Sequence, residues 1–137
     1  MIKQVLICRT DLRNTQGQKI RTGKLISQCC HASMKVFFDI MGSEHCSLPD
    51  YKQYYFQANK DVQEWIDGIF TKICLSVNSE RELVDIYNKA IESKLLCSLI
   101  EDVGNTEFGG VKTKTVVAIG PAKSEEIDKI TSHLKLL

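Results

Sequence analysis

No apolar run in this sequence approaches the roughly 20 residues that a membrane-spanning helix needs. No internal repeat and no low-complexity tract is visible, which excludes solenoid, propeller and fibrous architectures. Three familiar catalytic signatures are missing: the serine nucleophile elbow, the zinc-protease helix and the dinucleotide-binding fingerprint. Met1 to Arg9 is apolar but lacks a small-residue cleavage site, so it reads as a first strand rather than a signal peptide. The closing Leu-Lys-Leu-Leu carries no lipidation pattern. The chain is therefore expected to work in the cytoplasm, away from membranes.

What is present fits one domain over residues 1–137, long enough to bury a core without staples. There are six cysteines, and Cys8, Cys74 and Cys97 fall in runs that look like buried strands. Free cysteine commonly behaves as a small buried hydrophobe, and reduced thiols are the default in a cytosol. The net charge is only +1, but it is unevenly spread. Residues 1–24 carry Lys3, Arg9, Arg13, Lys19, Arg21 and Lys24 against Asp11 alone. Such asymmetry suggests an anionic partner near the N-terminal third, or else a solvated loop that happens to be basic.

Apolar periodicity predicts alternating strands and helices. Ile2 to Arg9 reads as a buried strand, and Thr10 to Arg21 as a polar loop. Thr22 is placed to cap a helix reaching about Met41, with the apolar stripe Leu25, Cys29, Ala32, Val36 and Ile40. Gly42 is the expected helix stop. Residues 43–59 form the least regular segment and read as an inserted loop. A short helix is expected around Trp65, then a strand from Phe70 to Val77. Ser79 to Glu82 is a capping box opening another helix. Strands follow at Cys97 to Ile100 and at Thr113 to Ile119, the latter stopped by Gly120-Pro121. Ser124 is the expected cap of a final helix. This order argues for an α/β fold, a mixed sheet with helices on its faces. The first two strands are expected to run parallel and the last two antiparallel.

Two segments can carry chemistry. Lys24, Gln28 and His31 fall at i, i+4 and i+7 and so share one helix face. Free N–H groups at a helix start, together with a lysine, suit an anion or an oxyanion. The bland alternative is a solvated helix face. A phosphate-binding loop does not fit: five residues separate Gly17 from Gly23-Lys24, and Leu25 lacks a hydroxyl. The second segment is the glycine-rich loop from Asp102 to Gly110. Asp102 ends a strand, where α/β folds place ligands, and can act as a general base or orient a water or a lysine. Thr106, Thr113 and Thr115 supply hydroxyls. The alternative there is an ordinary hairpin turn.

Cys29, Cys30, His31, His45 and Cys46 lie near one another, but adjacent helix residues point apart and cannot chelate like a Cys-x-x-Cys pair. Cys29 lies on the apolar stripe, where a thiol is usually inert. Tyr51, Tyr54, Tyr55 and Phe56 can stack on unpaired bases or cover a core edge.

Taken together, Gly23-Lys24-Leu25-Ile26-Ser27-Gln28-Cys29-Cys30-His31-Ala32 resembles the Gly-Lys-x-x-x-Gln-x-x-His-Ala signature of the second, archaeal and eukaryotic, type of peptidyl-tRNA hydrolase. Asp102-Val103-Gly104-Asn105-Thr106 resembles that family's Asp-x-Gly-x-Thr loop, and Thr115 to Pro121 its closing strand. Glu107-Phe108-Gly109-Gly110-Val111-Lys112 stands where the family commonly has Gln-Ile-Ala-Pro-Gly.

The resemblance implies a four-stranded mixed sheet flanked by helices, often in a homodimer, with no metal or cofactor. It implies hydrolysis of the ester between peptide and tRNA, which releases free tRNA. Catalytic roles then fall on Lys24, Asp102 and Thr115. Substrate contacts fall on Gln28, His31, Thr106 and Thr113, with tRNA phosphates held by Arg13, Lys19 and Arg21. A binding module without turnover, built on the same fold, is the alternative for RNA or a protein partner.

Overall fold

The computed structural model describes all residues, 1–137. Its main sheet has five strands: β1 (Ile2–Arg9), β4 (Lys72–Val77), β5 (Cys97–Asp102), β6 (Thr113–Lys123) and β7 (Lys135–Leu136). They lie in the order β5-β6-β1-β4-β7. β1 and β4 are parallel, and the other pairings are antiparallel. The expected four strands are therefore corrected to five. The extra one, β7, is only two residues long, too short to show a periodicity, and it pairs with the outer edge of β4.

Strand alternation sends side chains of β1 to opposite faces. Val5 and Ile7 face a core completed by α3 (Glu80–Glu92) through Leu83, Ile86 and Ala90, and by α4 (Ser124–Thr131) through Ile127 and Ile130. Leu6 and Cys8 face α1 (Thr22–Phe38), which contributes Ala32 and Val36. Helices thus cover both faces, as the sequence predicts. α2 (Lys60–Asp67) adjoins the end of α1 through Trp65, 5.9 Å from the Phe37 ring.

Local chemistry explains the boundaries. α1 ends at Phe38 rather than near Met41: the Asp39 N–H still bonds the Lys35 carbonyl, but the Ile40 and Met41 N–H groups turn to the Phe37 and Phe38 carbonyls, three residues back, and tighten the chain out of the α-helix. Gly42 opens a strand instead of capping the helix. Gly42–His45 (β2) and Lys52–Tyr55 (β3) pair as an antiparallel hairpin within the segment that reads as irregular. That hairpin buries almost no residue, so it lacks the apolar-polar alternation that marks a half-buried strand. β6 runs past Gly120-Pro121 to Lys123. The register slips there, opposite Gln4, so the missing proline N–H falls at a bulge. The buried Gln4 amide donates to the Gly120 carbonyl at 3.2 Å.

Ser79 caps α3 as expected, its Oγ accepting the Glu82 N–H at 3.1 Å, but the returning Glu82 carboxylate accepts the N–H of Asn78, one residue before the cap, rather than that of Ser79. Ser124, by contrast, does not cap α4. Its hydroxyl donates to the Met1 carbonyl at 2.8 Å, which ties the last helix to the start of β1.

Candidate active site

Three pieces of backbone meet at one end of the sheet: the start of α1, the end of β5 and the start of β6. The first turn of α1 brings Lys24 toward β5. Its ammonium donates to Asp102 Oδ1 at 3.0 Å and to Thr106 Oγ1 at 2.8 Å. Both charged side chains are largely shielded, at 12% and 14% exposed. The Lys24 Nζ also stands 5.6 Å from the centre of the Phe108 ring, within cation–π range. An ammonium has three N–H donors. Two are committed within the chain, and one is left to offer to a substrate oxygen.

One helical turn on, Gln28 is buried beneath the same carboxylate. Its amide nitrogen donates to Asp102 Oδ1 at 3.3 Å, and its oxygen accepts the Thr115 hydroxyl at 2.6 Å. Thr115 is fully buried on β6. Asp102 Oδ2 accepts the Gly104 N–H at 3.0 Å. Gly104 holds φ at 88°, and a Cβ there would meet the Val111 backbone, so the turn that aims its N–H back at Asp102 requires glycine. Burial alone would raise the Asp102 carboxyl. The Lys24 ammonium, the Gly104 N–H and the Gln28 amide outweigh it and hold the group below its ordinary range.

Lys24, Asp102, Thr106, Gln28 and Thr115 therefore form one continuous hydrogen-bonded chain. The other candidates lie elsewhere. His31 is exposed further along α1, with no bond to this chain. Thr113 donates to the Val111 carbonyl at 2.9 Å, shaping the loop before β6. Arg13 and Lys19 pair across a tight turn of the basic loop and are exposed. Arg21 projects into solvent at 82% exposed, yet one of its guanidinium nitrogens donates to Glu107 at 2.7 Å. The aromatic group divides: Tyr51, Tyr54 and Tyr55 are exposed, while the Phe56 ring lies 5.2 Å from that of Phe37.

Glu107 is the residue whose role sequence reasoning misses. Besides pairing with the Arg21 side chain, it accepts the Arg21 backbone N–H at 3.3 Å. Arg21, not Thr22, holds the N-cap position of α1, and no side chain of the helix itself caps it. Glu107 thus reaches across from the second loop to the start of the helix that carries Lys24. The Arg21 hydrogen bonds and charge hold its carboxyl below the usual range. The partners are 86 residues apart, a separation at which no local pattern signals a pair. Beside this clamp lies an open hollow of about 440 Å³ with no apolar lining, walled by Gln18, Lys19, Arg21, Asn105, Thr106 and Glu107. Thr106 belongs both to that wall and to the Lys24 contact. Elsewhere, no three His, Cys, Asp or Glu side chains gather in a group able to hold a metal ion.

Residues 2–137 match the family described as Peptidyl-tRNA hydrolase PTH2. A protein of Methanocaldococcus jannaschii named peptidyl-tRNA hydrolase is 40% identical over 136 residues, 99% of this chain and 100% of its own length. One of Dictyostelium discoideum, named probable peptidyl-tRNA hydrolase 2, is 40% identical over 98% of this chain, which spans 54% of that relative. A peptidyl-tRNA hydrolase of Methanococcus maripaludis is 34% identical over the full length of both. The chain belongs to the PTH2 family of peptidyl-tRNA hydrolases.

Proposed function

We propose that this protein hydrolyses the ester joining the peptide to the 3′ ribose of peptidyl-tRNA, with Lys24 as the group that meets developing negative charge. The observation that carries this reading is the Lys24 ammonium, pinned by Asp102 and Thr106 at the edge of the polar hollow. Water attacks the ester carbonyl, the carbonyl oxygen takes up negative charge, and the ribose oxygen leaves. A fixed ammonium N–H aimed at that oxygen stabilises the transition state more than the neutral ester.

Asp102 serves as orienter rather than base in this reading. A carboxylate held below its ordinary range is a poor proton acceptor, whereas it is well suited to holding Lys24 charged and aimed. Gln28 and the buried Thr115 then act as positioning residues: Thr115 fixes the Gln28 amide, and Gln28 fixes the carboxylate. No step requires a cofactor. The test is release of labelled peptide from peptidyl-tRNA by the wild-type chain. Binding of tRNA without turnover would replace the hydrolase reading with that of a binding module.

The tRNA phosphates are assigned to Arg13, Lys19 and Arg21. Binding should weaken steeply with salt, and the double substitution Arg13→Ala and Lys19→Ala should flatten the slope of log K against log salt. Each lost phosphate contact is worth about 0.7–0.9 in that slope. An unchanged slope places the phosphates elsewhere.

A homodimer through α1 fits the exposed stripe Ile26, Met34 and Phe38, since contiguous apolar surface marks association sites. Sedimentation at micromolar concentration should show twice the chain mass, and a monomer there removes the proposal. No helix is long and apolar enough to cross a membrane, and the cytoplasm is the proposed place of action.

A further inference from the structure

Two thiols that the hydrolytic chemistry does not use face each other where α1 crosses β1. Cys8 is fully buried on β1, on the face that receives α1. Cys29 comes down onto it from the helix, and the two Sγ atoms stand 3.3 Å apart. The pair is asymmetric. Cys29 is only half-buried, and it lines an apolar trough of about 520 Å³ together with Leu6, Leu25, Met34 and Cys74. Cys8 sits behind it, out of solvent. One thiol can be reached by a small molecule, and the other can be reached only from the first. None of the other four cysteines hydrogen-bonds a second thiol.

We propose that Cys29 and Cys8 form a peroxide-reactive site in which Cys29 is oxidised first and Cys8 then closes an intramolecular disulfide. In the first step the Cys29 thiolate attacks one oxygen of hydrogen peroxide. The O–O bond breaks, hydroxide leaves and takes a proton from solvent, and Cys29 becomes a sulfenic acid. In the second step Cys8 sulfur attacks Cys29 sulfur. The S–O bond breaks, and the departing hydroxide leaves as water with the Cys8 proton. Two thiols lose two electrons in all, and one peroxide is reduced to two waters.

The surroundings favour this order. The hydrogen bond between the two sulfurs, in which either can be the donor, lowers the Cys29 thiol below its usual range against the effect of burial, while the same bond together with burial raises Cys8. The thiolate is the nucleophile, so the reachable sulfur is the activated one. The buried sulfur keeps its proton until a leaving hydroxide is beside it. Disulfide formation needs the sulfurs to approach to about 2.05 Å, little more than an ångström closer than they stand. In this proposal Cys29 departs from the usual inertness of a thiol on an apolar stripe because a second thiol lies directly beneath it.

The experiment titrates the reduced full chain with hydrogen peroxide, blocks the remaining thiols and maps the peptides. The expected first product is a Cys8–Cys29 linked pair with two hydrogens fewer, returned to free thiols by dithiothreitol. With dimedone present, Cys8→Ala should accumulate the Cys29 sulfenic acid adduct, and Cys29→Ser should give no intramolecular link. Peroxide that consumes Cys30, Cys46 or Cys74 first overturns the proposal, as does any linkage that omits Cys8. The wild-type map decides these outcomes even if a variant does not fold. The inference is independent of the hydrolytic reading.

Discussion

Lys24→Ala is expected to lower kcat for peptide release by about 10²- to 10³-fold, the usual cost of losing one preorganised donor to an oxyanion. KM should move little, because the tRNA phosphates are assigned to Arg13, Lys19 and Arg21 rather than to Lys24. A fall in kcat at nearly constant KM marks an interaction made only in the transition state. The fold should survive: Asp102 keeps its bonds from the Gly104 N–H and the Gln28 amide. Lys24→Arg should not restore activity. A planar guanidinium cannot take the place of a point charge that reaches Asp102 at 3.0 Å and Thr106 at 2.8 Å in different directions. Near wild-type kcat in Lys24→Ala, measured as single-turnover release, removes Lys24 from the chemistry.

Asp102→Asn is expected to lower kcat by roughly 10²-fold, the penalty for a reacting group displaced by about an ångström. The carboxylate uses both oxygens, Oδ1 for Lys24 and Gln28 and Oδ2 for Gly104. An amide offers one acceptor, so either the lysine or the loop loses its anchor. The pH dependence separates the two possible roles. The Asp102 carboxyl is held below its ordinary value of 3.8. Its contribution to stability is therefore complete above that value and is lost as pH falls through the lowered one. An orienting carboxylate gives a wild-type kcat with no Asp102 limb between about pH 5 and 8. A limb near neutrality that vanishes in Asp102→Asn would falsify the orienting role and make Asp102 the base.

Much of this site was legible because its parts are close in sequence. Lys24 and Gln28 share a helix face by spacing alone, and Asp102, Gly104 and Thr106 lie within five consecutive residues. What the sequence does not display is what joins the segments. The bond from Thr115 to Gln28 spans 87 residues and that from Glu107 to Arg21 spans 86. Burial of a polar pair follows from the sheet register and not from any local pattern. His31 shows the same limit from the other side. Its spacing puts it on the right face of α1, but the helix has by then run past the loop that carries Asp102. The core strands read well because each holds an apolar stretch, as Val5 to Cys8 does in β1 and Val116 to Ile119 in β6. The β2–β3 hairpin and β7 do not, since one is exposed on both faces and the other is two residues long.

The central pairing of the sheet joins the two ends of the chain: Ile2 lies opposite Lys123, and Cys8 opposite Val116. Contacts this distant in sequence carry a large loop-closure entropy and form slowly. A chain still being synthesised can build α1 and the β2–β3 hairpin early, since both are local. It cannot close the sheet, bury Gln28 or bring Lys24 to Asp102 until residues near 123 are free to pair. The proposed catalytic constellation is thus a late product of folding. Recovery of hydrolytic activity during refolding should report completion of the β1–β6 pairing rather than formation of helix, and should lag the far-ultraviolet helical signal.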